Sequence, residues 1–119
     1  VYPSSAAQGR AVWLDRGSLV QAGSPDALRE KIRRLKRSGM NLIFVEALNA
    51  GFPVYESRVL RVRNPMIQGW DPLQVAVDEG HKLGMEVHAW VWCFAVGNTR
   101  HNALIGQAEH YKGPILEDP

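Results

Sequence analysis

The chain has 119 residues, enough for one domain at most, and its 45% hydrophobic and 22% charged content indicates a folded globular protein. A net charge of +2 is too small to indicate a nucleic-acid or anionic-membrane partner, and no apolar run approaches the ~20 residues of a membrane span. The single Cys93 excludes an internal disulfide, so cysteine usage leaves the compartment open.

The first predicted element is a short strand from Ala11 to Asp15. Ser24 and Pro25 then predict a helix start, because a hydroxyl can cap the helix and proline at its first position has no N–H to lose. Apolar residues follow at helical spacing until Gly39, which suits a left-handed helix end. The apolar run Leu42 through Asn49 comes next and predicts the second strand.

A connection from residue 50 to residue 70 follows, and it is longer than the about 2–6 residues usual in α/β units. Asp71 and Pro72 repeat the helix start, Gly84 ends that helix, and Val87 through Phe94 predicts the third strand. Each helix passes through a Gly-Met pair into a strand. This repeated helix-to-strand step favours a parallel sheet.

Period-two alternation divides the strand side chains between two faces of the sheet. One face is aliphatic and suits coverage by helices, with Val12, Leu14, Ile43, Val45, Ala47, Val87, Ala89 and Val91. The other carries indoles, carboxylates and an imidazole, with Trp13, Asp15, Phe44, Glu46, His88, Trp90 and Trp92. Polar groups at the C-terminal ends of parallel strands are typical of α/β active sites.

Right-handed crossovers put both helices on the aliphatic face and leave the aromatic face bare. Four aromatic side chains at ~150–250 Å² each would reach or exceed the roughly 300–600 Å² of the largest patch on a soluble monomer. Further strands cover such a face in a (β/α)8 barrel of about 250 residues. We therefore expect an α/β fold, the first three β/α units of a truncated (β/α)8 TIM barrel with parallel strands. A doubly wound sheet is the alternative, but it needs a helix on the second face.

Residues 1–9 are expected to form an N-terminal extension, and residues 10–119 the N-terminal part of the barrel domain. The polar start without methionine is typical of a cut or processed chain end. Residues 95–119 are expected to form a second long loop with one helical turn near Asn102 to Ile105.

Five stretches between residues 10 and 116 resemble one known family, the glycosyl hydrolase-like family 10 domain. Two of them resemble its first two strands, one resembles the tyrosine–proline–serine that follows (with Glu56 departing from the proline), and one resembles the start of its second helix. The most specific stretch resembles its histidine-rich helix exit and third strand. These stretches are Arg10–Leu14, Asn41–Val45, Tyr55–Ser57, Gly69–Leu73 and His81–Trp90.

The resemblance implies a TIM barrel that acts on a polysaccharide, such as bacterial cell-wall glycan, in a bacterial envelope or secreted location. It places no complete catalytic pair in this segment, since barrel glycosidases of this architecture usually carry the acid/base and nucleophile on later strands, beyond Pro119. The segment alone is expected to be an inactive, glycan-binding part of a glycoside hydrolase, and no cofactor is implied.

The residues themselves offer one candidate carboxylate pair, Asp15 and Glu46. Glycoside hydrolysis uses two carboxyl groups, about 5–5.5 Å apart for retention or ~6.5–9.5 Å for inversion. The two residues end adjacent predicted strands and point to one face. The alternatives are that Asp15 fixes a loop and that Glu46 pairs with an arginine or binds a sugar hydroxyl.

Six further residues are candidates for substrate binding. Indoles stack on the apolar faces of sugars, whereas the alternative for inward aromatic residues is core filling. The inward imidazole is expected to be a hydrogen-bonded interior group, and the asparagines and tyrosine are expected just past strand ends, where structuring a loop is the alternative. The candidates are Asn49, Tyr55, His88, Trp90, Trp92 and Asn98.

Neither a metal site nor a nucleic-acid site is predicted. The four histidines lack metal-ligand spacing, Cys93 is expected to be a small buried residue, and the basic first helix has no interleaved aromatic residues. Two other functions stay open: a carbohydrate-binding barrel without turnover, and an α/β interaction domain. The open sheet face is expected to pair with the missing part of the barrel in a barrel protein, or to self-associate in an interaction domain.

Overall fold

The computed structural model describes residues 8–60 and 62–111, so residues 1–7 of the expected N-terminal extension and residues 112–119 of the expected second long loop lie outside the described residues. The described chain is an α/β arrangement with a four-stranded sheet. Its elements in chain order are β1 (Ala11–Leu14), α1 (Arg16–Ala22), α2 (Pro25–Arg37), β2 (Leu42–Asn49), β3 (Phe52–Pro53), α3 (Pro72–Lys82), β4 (Glu86–Val91) and α4 (Thr99–Leu104).

Both helices predicted from capping signals are confirmed. The Ser24 hydroxyl accepts a hydrogen bond from the Ala27 N–H at 3.2 Å at the start of α2. The Asp71 carboxylate accepts from the Gln74 N–H at 2.9 Å at the start of α3. Each cap satisfies an N–H that has no partner within the helix, which fixes where the helix begins.

One helix was not predicted, and it changes the role of Asp15. This residue lies outside β1, and its carboxylate accepts from the Ser18 N–H at 2.8 Å as the N-cap of α1. Gly23, with φ of 76°, ends α1 in the left-handed region one residue before the Ser24 cap of α2.

The sheet has β2 at its centre, with β1 and β4 on either side and both parallel to it, as predicted. The two-residue β3 is antiparallel to the end of β2, so the expectation of an all-parallel sheet is wrong at this point. Ala50 and Gly51 join the two strands with φ of 50° and 91°, the double positive φ that a tight hairpin turn requires. The register of β2 against β4 shifts between Glu46 and Leu48, next to this hairpin.

The two longer helices pack on the aliphatic face of the sheet. Leu28 and Ile32 of α2 and Ala76 of α3 are fully buried in one core with Ile43 and Val45 of β2. The alternation therefore predicted correctly which face of β2 the helices cover.

The approach of α3 to the sheet depends on Gly80. A Cβ at this position would lie 2.5 Å from Cγ2 of Val87 and 3.6 Å from Cδ1 of Ile43. Arg33 of α2 also donates to the buried Glu79 carboxylate of α3 at 2.9 Å, which links the two helices beside this contact.

The third parallel strand is shorter and less covered than predicted. It ends at Val91, so Trp92, Cys93 and Phe94 lie beyond it. Ala89 is exposed and Val91 is 45% exposed, because α3 reaches the first half of β4 at Val87 and leaves the second half uncovered. The expectation that Cys93 is buried is also wrong, since its thiol is exposed.

Candidate functional site

Five side chains form a continuous aromatic surface on the side of the sheet away from the helices, and we call it the aromatic face. Register places Trp13, Phe44 and His88 side by side across the three parallel strands, with Trp90 and Trp92 further along. Trp13 stacks on Phe44 with ring centroids 4.3 Å apart and meets Trp90 edge-on at 5.0 Å. Phe44 lies 5.4 Å from His88, and Trp90 lies 6.0 Å from Trp92. The predicted strand phasing is thereby confirmed for all five residues.

The aromatic face is open in the described chain. Trp13 is 57% exposed and Trp92 is 39% exposed, although both have neighbouring rings to pack against. His88 is also exposed and lies 3.0 Å from a carboxylate oxygen of Glu86, two residues earlier on β4. His88 therefore has a hydrogen-bond partner, as predicted, but in the described chain it is exposed rather than interior.

A second group of side chains, which we call the strand-end cluster, lies where β1 and β2 end. It consists of Arg16, Glu46, Asn49 and His101. Glu46 is 2% exposed, and its two carboxylate oxygens have different donors. Oε2 accepts from the backbone N–H of Arg16, and Oε1 accepts from Nδ2 of Asn49 at 2.6 Å. A buried carboxylate needs such donors, because desolvation without them is costly.

The two predicted catalytic carboxylates therefore have separate hydrogen-bond partners. Asp15 is exposed and caps α1, and the Ser18 backbone N–H, with its side chain contributing further, holds the pKa of Asp15 below its ordinary value. Glu46 is buried and holds the start of α1 against the end of β2. These contacts favour a loop-fixing role for Asp15, and a catalytic role for either residue stays a prediction.

His101 completes the strand-end cluster from α4. It is fully buried, its Nε2 lies 3.1 Å from Nη1 of Arg16, and its ring meets Phe52 edge-on at 4.8 Å. Burial, together with the charges of Arg16 and Arg100, lowers the pKa of His101 from its usual 6.5 to about 4. The imidazole is therefore neutral at pH 7.

The remaining predicted binding residues lie apart from one another. Asn98 caps α4, since its Oδ1 accepts from the N–H groups of Arg100 at 3.0 Å and His101 at 3.2 Å, which fits the loop-structuring alternative. Asn49 is the last residue of β2 and is buried, so it does not lie past the strand end as expected. Tyr55 is half-buried and lines a pocket of about 150 Å³ with Ser57. Whether these three bind substrate stays a prediction.

The long connection after β3 is ordered by Arg63, whose guanidinium donates to the carbonyl oxygens of Val54 and Trp70. Val54 and Ile67 lie in the main core, so the connection packs on the sheet despite its length. The predicted turn near residues 102–105 is realised as α4, three residues earlier than expected.

Sequence reasoning missed Arg16 and His101 as members of one site. They are 85 residues apart in the chain, and their spacing matches no motif. The capping pattern of Asp15 and Gly23 was a usable signal for α1, and hence for an ordered Arg16 at the end of β1.

Among residues 8–60 and 62–111, no group of three or more His, Cys, Asp and Glu side chains lies close enough together to hold a metal ion. The helices in this part of the chain are all too short or too polar to cross a bilayer.

Residues 8–112 match the family described as Glycosyl hydrolase-like 10. The chain is also 37% identical over 85 residues to proteins named Glycosyl hydrolase DigH from Escherichia coli (strain K12) and Shigella flexneri. Each match covers 66% of this chain and 19% of the relative, so the chain spans a minor part of the length of these relatives.

Proposed function

This chain belongs to the glycosyl hydrolase-like 10 family, and from that premise we propose that it is the glycan-binding part of a glycoside hydrolase that acts on a bacterial polysaccharide. Cell-wall glycan is the substrate we propose to test first, and a bacterial envelope or secreted location follows from that choice. Fractionation of cells with an antibody to the intact protein tests the location, which a purely cytoplasmic signal would contradict.

The observation that carries this proposal is the aromatic face. Three of the four tryptophans of the chain lie on it, and two of them, Trp13 within β1 and Trp92 just beyond the end of β4, present a large exposed fraction. Flat, amphipathic rings of this kind bury a large area and retain a polar N–H. They suit the apolar faces of sugar rings, whose hydroxyls project around the edge.

The same face supports a proposal about the whole fold. Parallel strands with helices on one side, and large rings bare on the other, are the arrangement of consecutive β/α units in a (β/α)8 barrel. In such a barrel, Trp13 and Phe44, in the middle of their strands, fill the interior. Trp92, beyond the end of β4, lies at the C-terminal rim where barrel enzymes bind substrate.

The strand-end cluster lies at the same rim. Glu46 is opposite Trp90 in the sheet register, and its buried carboxylate orders the ends of β1 and β2. Because both of its oxygens already accept hydrogen bonds, we propose that Glu46 shapes the glycan site. The chemical step then requires carboxylates elsewhere in the intact enzyme.

The test is turnover and binding by the intact protein. We expect new reducing ends from at least one bacterial polysaccharide, and quenching of tryptophan fluorescence by its oligosaccharides. Trp92→Phe removes an indole from the aromatic face, whereas Trp70→Phe removes the half-buried indole that packs against the core on the helix side. Quenching that persists in Trp70→Phe and weakens in Trp92→Phe supports the proposal. Quenching that weakens in Trp70→Phe alone contradicts it.

A binding module without turnover is the second candidate, and the contacts of Asp15 and Glu46 favour it for this part of the chain. Oligosaccharide binding with no reducing ends from any substrate tested would select it. Self-association through the aromatic face is the third candidate. A monomer in sedimentation at micromolar concentration would exclude it.

A further inference from the structure

His101 connects the α4 segment to the turn between β1 and α1. Arg100 and Ala103 of α4 are exposed, whereas His101 and the adjacent Asn102 are fully buried, the imidazole against Arg16 and Phe52. Asn98 sets this orientation, because its side chain accepts the N–H of His101 itself at the start of the helix. The segment is also anchored by the Gly97 N–H, which donates to the Ala50 carbonyl at 2.9 Å.

The partner of His101 determines which ring nitrogen carries the proton. A guanidinium has only donors, so Nε2 of His101 must accept from Arg16. The imidazole is then neutral with its proton on Nδ1, and Nδ1 is buried with no hydrogen-bond partner in the described chain. Burial of this unpaired N–H costs free energy, which indicates a further role for the contact with Arg16.

The further role involves the backbone of Arg16. The same residue donates its backbone N–H to Oε2 of Glu46, while Asn49 donates to Oε1. We propose that His101 is a positioning residue: by accepting from the Arg16 side chain, it fixes the turn whose N–H holds Glu46 at the rim beside Trp90. This proposal rests on the proposed function, because it takes Glu46 to shape the glycan site.

Two substitutions separate positioning from space filling. His101→Leu keeps an apolar side chain against Phe52 and removes the acceptor, whereas the amide oxygen of His101→Gln can still accept from Arg16. In the intact protein we expect His101→Leu to weaken oligosaccharide binding about tenfold or more, as loss of a hydrogen bond to a charged group would. His101→Gln should restore affinity to within about threefold of the wild type.

Two NMR measurements test the positioning without reference to activity. The ¹⁵N chemical shifts of the His101 ring in the wild type should show an unprotonated Nε2 and a protonated Nδ1. The Arg16 amide resonance should move in both His101→Leu and Glu46→Gln, and stay near its wild-type position in His101→Gln.

A proton on Nε2 of His101 at neutral pH would overturn the proposal. An Arg16 amide resonance that does not shift in His101→Leu would also overturn it. Equal loss of affinity in the Leu and Gln variants would also overturn it. If the expected NMR signals appear but the wild type binds no glycan, the positioning stands and the proposed function fails.

Discussion

Gly80 gives the sharpest test of how the helical layer is placed. Its α-helix, α3, approaches β4 so closely that a Cβ would lie 2.5 Å from Cγ2 of Val87, whereas carbon atoms pack best at roughly 3.5–4.0 Å. Gly80→Ala therefore demands a shift of about 1 Å between α3 and β4, or a strained Val87 rotamer. Overpacking of this kind costs about 1–3 kcal/mol, and the better helix propensity of alanine returns about 1 kcal/mol. We expect a net loss of about 1 kcal/mol in the free energy of unfolding.

Gly17 supplies a matched control, because it is also a helical glycine. A Cβ at Gly17 meets its nearest atom, the Asp15 carboxylate oxygen, at 3.4 Å, and the residue is exposed. Gly17→Ala should therefore stabilise the protein by about 0.5 kcal/mol through helix propensity and the unfolded chain. The two identical substitutions should change stability in opposite directions.

Urea denaturation of the intact protein, followed by circular dichroism, measures both changes as shifts in the midpoint at an unchanged slope. The double variant Gly80→Ala/Val87→Ala removes the colliding methyl, so its loss should be about 1 kcal/mol smaller than the sum of the two single losses. Stabilisation by Gly80→Ala equal to that by Gly17→Ala would refute the close contact.

Changes at three other residues have defined outcomes. Asp15→Ala should lower the free energy of unfolding in urea by about 1 kcal/mol, because it removes the α1 cap. Asp15→Asn keeps the cap and should keep both stability and turnover. Loss of turnover in Asp15→Asn with unchanged stability would instead support a catalytic role for Asp15. The lowered pKa of Asp15 means that the cap's charge-dependent benefit is present above the ordinary pKa and lost as pH falls through the folded value, so the gap between wild type and Asp15→Ala should narrow in acid. For His101, whose pKa is about 4 in the fold against 6.5 ordinarily, the unfolded chain binds a proton first as pH falls, so stability should drop by up to about 1.4 kcal/mol per pH unit across that interval. His101→Gln should flatten this slope in denaturation curves at pH 4 to 7, and an unchanged slope would contradict the burial. Asn98→Ala should loosen α4 and speed amide exchange there, whereas Asn98→Asp should not, since both native and aspartate side chains can cap.

Local sequence signals were sufficient for the two longer helices, α2 and α3, and for the phase of the parallel strands. Ser24 and Asp71 each place an acceptor where the first N–H groups of a helix lack partners, and that requirement holds whatever the helix packs against. Alternation likewise placed Trp13, Phe44 and Trp90 on one face, because successive side chains of a strand must point to opposite sides.

The surroundings of those side chains were decided by the tertiary structure. Alternation assigns His88 to the aromatic face and Val91 to the aliphatic face but cannot say what covers either residue. In the described chain both are exposed, Val91 because α3 packs on the first half of β4 only. Asp15 and Glu46 share a predicted face, yet the first caps α1 and the second is buried with hydrogen bonds from Arg16 and Asn49. A carboxylate takes the nearest unpaired N–H, and which N–H is nearest depends on how separate segments pack.

Tertiary packing also decided the contact between Arg16 and His101, because the two turns that it joins are adjacent only after the sheet has formed. Short-range rules of backbone geometry and hydrogen bonding thus determined the two longer helices and the faces of the parallel strands. The strand-end cluster arose from long-range packing, because it needs the ends of β1 and β2 and the α4 segment to meet at one edge of the sheet.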